Sequence, residues 1–351
     1  MMFVKGVGAL ILTLVVFSIF SMKCPKGDKA MSGLADAAVA TFLVQAIFQY
    51  ICGDFLGIEF LGTVGESAGA MGGVASAALV GIAMGTNPVY AVASAAAING
   101  YGILPGFIAA YVIYFVIKRI DKWVPTGLDV ILCSLIAAGM GRGIAMLVDP
   151  LVNSVITTVG EAITVATQQS PLVMGFILGG IMKMICTSPL SAMALTAMLG
   201  LTGMPMGIAA VACFGGAWTD GMTFKRLNLG DNSRVLAVML EPLTQADIVT
   251  QNPIPIFGSN FFGGALSGVC AAMMGIVNNA PGTSAPIPGF LAPFAFNSPA
   301  KVLITMAMAA CCGILAGFIC STIFSKLGFK KETDGSLASE IAGAPTNPTR
   351  E

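Results

Sequence analysis

Apolar stretches follow one another from Val7 to Phe324 with very little charge between them. Charged residues make up 10% of the chain and apolar residues 56%, where an ordinary soluble domain carries about 25% charged residues. So little polar surface cannot cover a globule in water, so the solvent of most of this chain is lipid. The expected fold is an all-α polytopic membrane protein. Plausible crossings are Val7–Met22, Leu34–Ile51, Ala68–Gly85, Val89–Ile117 (divisible around Gly100 and Pro105), Leu128–Val148 and Leu151–Ala166. Leu172–Ile185, Leu190–Phe214 (interrupted at Gly203 and Pro205), Pro255–Val277 and Val302–Phe324 follow, about ten helices in all. The first stretch ends in Ser21-Met22-Lys23-Cys24, not in a small-residue cleavage site, so it reads as a retained helix.

Several of these stretches are short or broken by Gly and Pro. Broken helices survive in lipid only where protein or a water-filled cavity satisfies the freed backbone groups. The breaks therefore argue for an internal, re-entrant site. Asn278–Pro299 holds five prolines, two glycines and no charge, and reads as a pocket-lining stretch. Basic residues gather at Lys23–Lys29, Lys118–Lys122, Lys225–Arg234 and Lys326–Lys331. The positive-inside tendency places all four in the cytoplasm. Residues 1–331 read as one membrane domain, and 332–351 as a disordered polar tail.

A cassette occurs twice. Thr63-Val64-Gly65-Glu66 recurs as Thr158-Val159-Gly160-Glu161, and Thr86-Asn87-Pro88 as Thr187-Ser188-Pro189. Gly102-Ile103-Leu104-Pro105-Gly106 is followed later by Gly203-Met204-Pro205-Met206-Gly207, and the copies close on Lys118-Arg119 and Lys225-Arg226. The repeat copies span about 63–119 and 158–226 and are compatible with parallel or inverted symmetry.

Charge inside apolar sequence is costly, at least ~2.5–3.5 kcal/mol near the bilayer centre, and is kept for a partner or a ligand. Glu161, Lys183 and Asp247 are the candidates for ion coupling or for a buried ion pair, Lys183 with Glu161 or Glu66. Arg142 reads as reaching a headgroup, and Glu66 as a helix start. A polyhydroxylated solute needs acceptors and donors in pairs. Glu241, Gln168, Gln169, Gln245, Asn278 and Asn279 supply them, with the hydroxyls of Thr187 and Ser188. The Asn278-Asn279 pair also suits a turn.

There are nine cysteines, no CxxC and no histidine. The cysteines read as packing residues, and no metal, cofactor or catalytic site is expected. Zero net charge gives nothing to steer nucleic acid.

Pro171-Leu172-Val173-Met174-Gly175-Phe176-Ile177-Leu178-Gly179-Gly180-Ile181-Met182 resembles the Gly-rich segment of the fructose-type permease subunit, enzyme IIC, of the bacterial phosphotransferase system. There the run leads into a Gly-Gly-Pro-x-Asn-Lys element. Cys186-Thr187-Ser188-Pro189 stands in its place, without the asparagine and lysine. Leu240-Glu241-Pro242, with Gly263-Gly264-Ala265-Leu266-Ser267-Gly268 after it, is similar to that family's Ile-Thr-Glu-Gly segment and following helix. Ala280-Pro281-Gly282 falls at its Ala-Pro-His-Gly-Gly loop and has no histidine. The resemblance covers about residues 65–325 and is closer to stand-alone IIC-like proteins, including those named as regulators of perfringolysin O. It implies a homodimeric permease of the bacterial inner membrane with a scaffold part and a moving part. Glu241 would contact sugar. Phosphorylation would come from separate cytoplasmic IIA and IIB proteins. A proton- or sodium-coupled secondary transporter and a solute-sensing regulator are the other readings.

Overall fold

The computed structural model describes residues 2–120, 122–125, 127–188 and 192–329. The expected tail, 332–351, lies outside the described residues, as does Pro189. The elements in chain order are α1 (Met2–Lys23), α2 (Gly27–Ala38), α3 (Glu59–Ala70), α4 (Gly72–Met84), α5 (Pro88–Ala97), α6 (Ile103–Ile120), α7 (Asp129–Gln169) and α8 (Pro171–Cys186). Then come α9 (Ala192–Met198), α10 (Gly203–Leu227), α11 (Asn232–Leu240), α12 (Ala246–Gln251), α13 (Pro253–Met273), α14 (Pro286–Leu291) and α15 (Pro299–Lys326). Two π-helical segments, Val39–Leu43 and Ala46–Phe55, carry α2 onward. No strand occurs among the described residues.

Six helices are long and apolar enough to cross a membrane, or seven if the bent pair α3–α4, turned by 54°, is one span. The chain is thus a multi-pass, all-helical membrane protein. Of the remaining apolar stretches, α5 and α8 are shorter helices, and α10 is a 25-residue helix that is not among the six. Val89–Ile117 divides where its Gly and Pro stand, with α5 ending at Ala97 and α6 beginning at Ile103. By contrast, Leu128–Val148 and Leu151–Ala166 are one helix of 41 residues that runs through Pro150. At 1.5 Å per residue, α7 is about 60 Å long, roughly twice the hydrocarbon thickness.

The helices pack in two groups. α1, α2, α4, α5, α6 and α7 hold one another, while α8, α10, α13 and α15 form a second bundle flanked by α11 and α14. α8 and α13 approach along a seam of Gly175, Gly179, Gly264 and Gly268, where an added methyl on any one would collide with the facing backbone. Small residues of this kind let helix backbones close on each other in lipid, where apolar burial gives no drive to associate. The groups meet where α7 touches α10 and where the second π segment touches α14 and the turn at Ala292–Ala295. Tyr50 and Phe296 pack there, ring centroids 5.7 Å apart.

Of the repeated sequence landmarks, Thr63–Glu66 lies in the 12-residue α3 and Thr158–Glu161 inside the 41-residue α7, and the later ones lie as follows. α4 ends just before Thr86-Asn87-Pro88 and α8 ends just before Thr187-Ser188. A short helix follows each, then a glycine in the left-handed region (Gly100 or Gly200), then a long helix with a basic last turn.

Candidate functional site

The second bundle encloses a polar cluster built on three of its helices. α8 places Lys183 and Thr187 one turn apart, α10 supplies Asp220 and α13 supplies Asn260, while Thr223 and Ser259 are buried on the same two helices. Lys183 and Asp220 form an ion pair, Nζ to Oδ2 at 2.5 Å, with both side chains fully buried. It is the one ion pair among the described residues. The lysine stem is admitted by Gly216 and Gly264, whose Cβ positions it would overlap. Thr187 donates its hydroxyl to the Met184 carbonyl at 2.9 Å and accepts from the Asn260 amide at 3.1 Å.

The cluster is not internally satisfied. Asp220 Oδ1, Asn260 Oδ1, Ser259 Oγ and Thr223 Oγ1 are buried without a hydrogen-bond partner. Each such group costs roughly 1–3 kcal/mol when left unpaired. Asp220 Oδ1 and Asn260 Oδ1, on residues that pair with Lys183 and Thr187, are open acceptors beside a buried ion pair and suit a polar, hydroxyl-bearing ligand. Glu241 closes α11, half-buried, and the Lys183 charge reaches its carboxylate. Its one hydrogen bond inside the turn is long, 3.4 Å from the Leu243 amide to Oε1.

The structure thus brings together Lys183 and Thr187 from among the sequence candidates, while Glu241 stands at the end of α11, within range of the Lys183 charge. The lysine's partner is Asp220, not Glu161 or Glu66, both of which are exposed on other helices. Asp220 and Asn260 were missed by sequence reasoning. Asp220 lies in the small-residue run Gly215-Gly216-Ala217-Trp218-Thr219-Asp220-Gly221, an acid on the same helix face as Gly216, and that placement is the signal that marks it.

The other candidates sit elsewhere. Glu161, Thr164 and Gln168 share one face of α7 and line a 400 Å³ cleft against Leu199, Gly200 and Thr202. Gln169 is exposed in the last turn of α7. Ser188 donates to the Ile185 carbonyl at 2.8 Å. Gln245 is buried, with its amide on the Thr244 carbonyl at 2.9 Å and its oxygen accepting from Arg234 at 3.4 Å. Asn278 is fully buried and holds the loop before α14 by bonds to Thr283 and the Ala280 amide. Asn279 accepts from the Gly203 amide at 3.0 Å, which fixes that loop to the start of α10. The side chain of Asp247 lies outside the described residues. Arg142 donates to the Ala97 and Asn99 carbonyls and covers the Tyr101 ring, so it closes the end of α5. Among the described residues no three carboxylate or thiol groups gather to hold a metal ion.

A family model described as the phosphotransferase system EIIC matches residues 28–337. The chain belongs to this family. EIIC is the membrane permease component of a sugar phosphotransferase system, a transporter whose phosphoryl transfer is carried out by its partners. Comparison with curated proteins and with solved structures gives no match. The match spans both helix groups, including α8, α10 and α13, which build the polar cluster.

Proposed function

We propose that this EIIC chain binds a sugar or sugar-like solute at the Lys183–Asp220 cluster and carries it across the bacterial cytoplasmic membrane. The observation behind this reading is the unpartnered acceptors Asp220 Oδ1 and Asn260 Oδ1 at a fully buried ion pair. Sugar hydroxyls would donate to Asp220 Oδ1 and Asn260 Oδ1 and accept from Ser259 and Thr223. Glu241 would hold the solute from the α11 end. Gln168, Glu161 and Gln169 on α7, and Gln245, Ser188 and the Asn278-Asn279 loop, would act along the path or support its walls. The repeated stretches 63–119 and 158–226 would be a duplicated unit, the first mostly scaffold and the second half of the transport site. The second bundle would move against the first in an elevator-like displacement within a homodimer. Separate cytoplasmic IIA and IIB proteins would phosphorylate the sugar.

Thermal stabilisation of the purified protein across a panel of sugars, polyols and sugar acids tests the site. Ligand that binds the folded state raises its apparent stability by mass action. At least one compound should stabilise the native chain and fail to stabilise Glu241→Ala and Asp220→Asn. Equal stabilisation of all three proteins would sink the assignment.

The ion pair also favours a second reading. Paired ionisable groups inside a membrane are the usual parts of proton or sodium relays. In sealed vesicles without a phosphate donor, accumulation that collapses with an ionophore would favour this reading over phosphorylation-linked uptake.

A further inference from the structure

The break after α4 forms another polar cleft, of 610 Å³, lined by Thr86, Asn87, Tyr90, Tyr114, Lys118 and Asp129 among others. It shares no residue with the Lys183 cluster. Lys26 and Lys118 place their ammonium groups 4.3 and 5.6 Å from the centre of the Tyr114 ring. Both also reach its hydroxyl electrostatically. Lys26 donates to the Met84 carbonyl at the end of α4. Neither lysine has a carboxylate partner among the described residues, where the one ion pair is Lys183–Asp220. The Asp129 carboxylate is engaged by the Gly127 amide at 2.9 Å and the Tyr90 hydroxyl at 3.3 Å. Lys118 and the hydrogen-bonded Asp129 line the cleft, and Lys26 adds a second ammonium group beside its lining residues Gly85 and Tyr114.

Two further observations point to the same kind of ligand. Thr86 is only 9% exposed, lines the cleft, and its Oγ1 has no hydrogen-bond partner. The ten-residue helix α5 begins at the cleft, with Asn87 as its cap and Pro88 at its first position. Its amide end carries partial positive charge, which favours a bound anion. An unpartnered hydroxyl, the positive end of the α5 dipole, the Lys118 ammonium in the lining and the Lys26 ammonium beside it complement a tetrahedral oxyanion.

We propose that this cleft binds a phosphate group, carried by an anionic lipid headgroup or by a free phosphomonoester. The basic clusters that contain Lys26 and Lys118 are those the sequence assigns to the cytoplasmic face. Both sources of phosphate are found there. The proposal stands apart from the transport site, so either can fail alone.

Purified protein in phosphatidylcholine nanodiscs would be titrated with inorganic phosphate by calorimetry. In a second arm, native mass spectrometry would count phosphatidylglycerol retained from mixed nanodiscs. The native chain should bind saturably in at least one arm. Thr86→Val and Lys118→Gln should each weaken that binding by about tenfold, the loss of one charge-assisted bond. Lys122→Gln, an exposed lysine outside the cleft, should bind as the native chain does. Binding in the phosphate arm alone supports a phosphomonoester site, and binding in the lipid arm alone a headgroup site. Lack of binding in both arms, binding that survives both cleft substitutions, or an equal fall in Lys122→Gln would overturn the proposal.

Discussion

Asp220 and Lys183 each neutralise a charge that neither lipid nor protein would otherwise tolerate. Replacing one partner leaves the other buried and unpaired, which costs about 3–5 kcal/mol in soluble proteins. Asp220→Asn should therefore lower the thermal midpoint of the detergent-solubilised protein markedly. The double replacement Lys183→Met with Asp220→Asn removes both charges and should restore much of that loss. If the pair were only structural, the double variant would also regain sugar-induced stabilisation. The proposed site instead requires a stable double variant that no sugar stabilises. Lys183, Thr187 and Glu241 were legible in the sequence because charge and Thr-Pro breaks stand out against apolar neighbours. Asp220 was not, because it stands five residues before Lys225-Arg226 and reads as the start of a polar interval. The helix in fact continues to Leu227, which keeps Asp220 inside the bundle. Asn260 carries no charge, and only the packing of α13 on α8 brings it to Thr187.

The α8–α13 seam sets how closely Lys183 and Asn260 can approach each other. Gly268→Ala would push a methyl into the Gly175 carbonyl and separate the two helices. Overpacking of this kind costs typically 1–3 kcal/mol, so this variant should unfold at lower temperature and lose sugar stabilisation together. Gly143→Ala is the contrast, since Gly143 is exposed on α7 with nothing within 4 Å of the added methyl. Alanine favours a helix over glycine by up to ~1 kcal/mol, so the same unfolding scan should show no loss of stability. The interruptions at Gly100–Pro105 and Gly203–Pro205 were readable because glycine and proline act locally. Pro150 misled, because Asp149-Pro150 has the local form of a turn, yet α7 continues through it. The π-helical form of Val39–Leu43 and Ala46–Phe55 has no local sequence sign. There Gln45 donates to Gln49 at 2.8 Å, and Gly65 and Gly69 of α3 make room for the pair.

Helix packing divides the molecule into two groups, and the polar cluster lies within one of them. That division permits the second bundle to carry its solute as a body, with the first as scaffold. Two cross-links separate this motion from rearrangement inside the bundle. Cys270 on α13 and Cys312 on α15 already hold their sulfurs 3.7 Å apart, so mild oxidation should join them, detected as protection of both thiols from alkylation. Both helices belong to the second bundle, so the proposed displacement predicts that uptake into cells continues after this bond forms. Tyr50 and Phe296 instead face each other across the contact between the π segment and the second bundle. In a background lacking native cysteines, Tyr50→Cys with Phe296→Cys should support uptake until a short bifunctional thiol reagent joins them. A displacement of one bundle past the other predicts that this link stops uptake and that a reducible link restores it on reduction. Uptake that persists through the Tyr50–Phe296 link, or that stops when Cys270 and Cys312 are joined, would instead place the moving parts inside the second bundle.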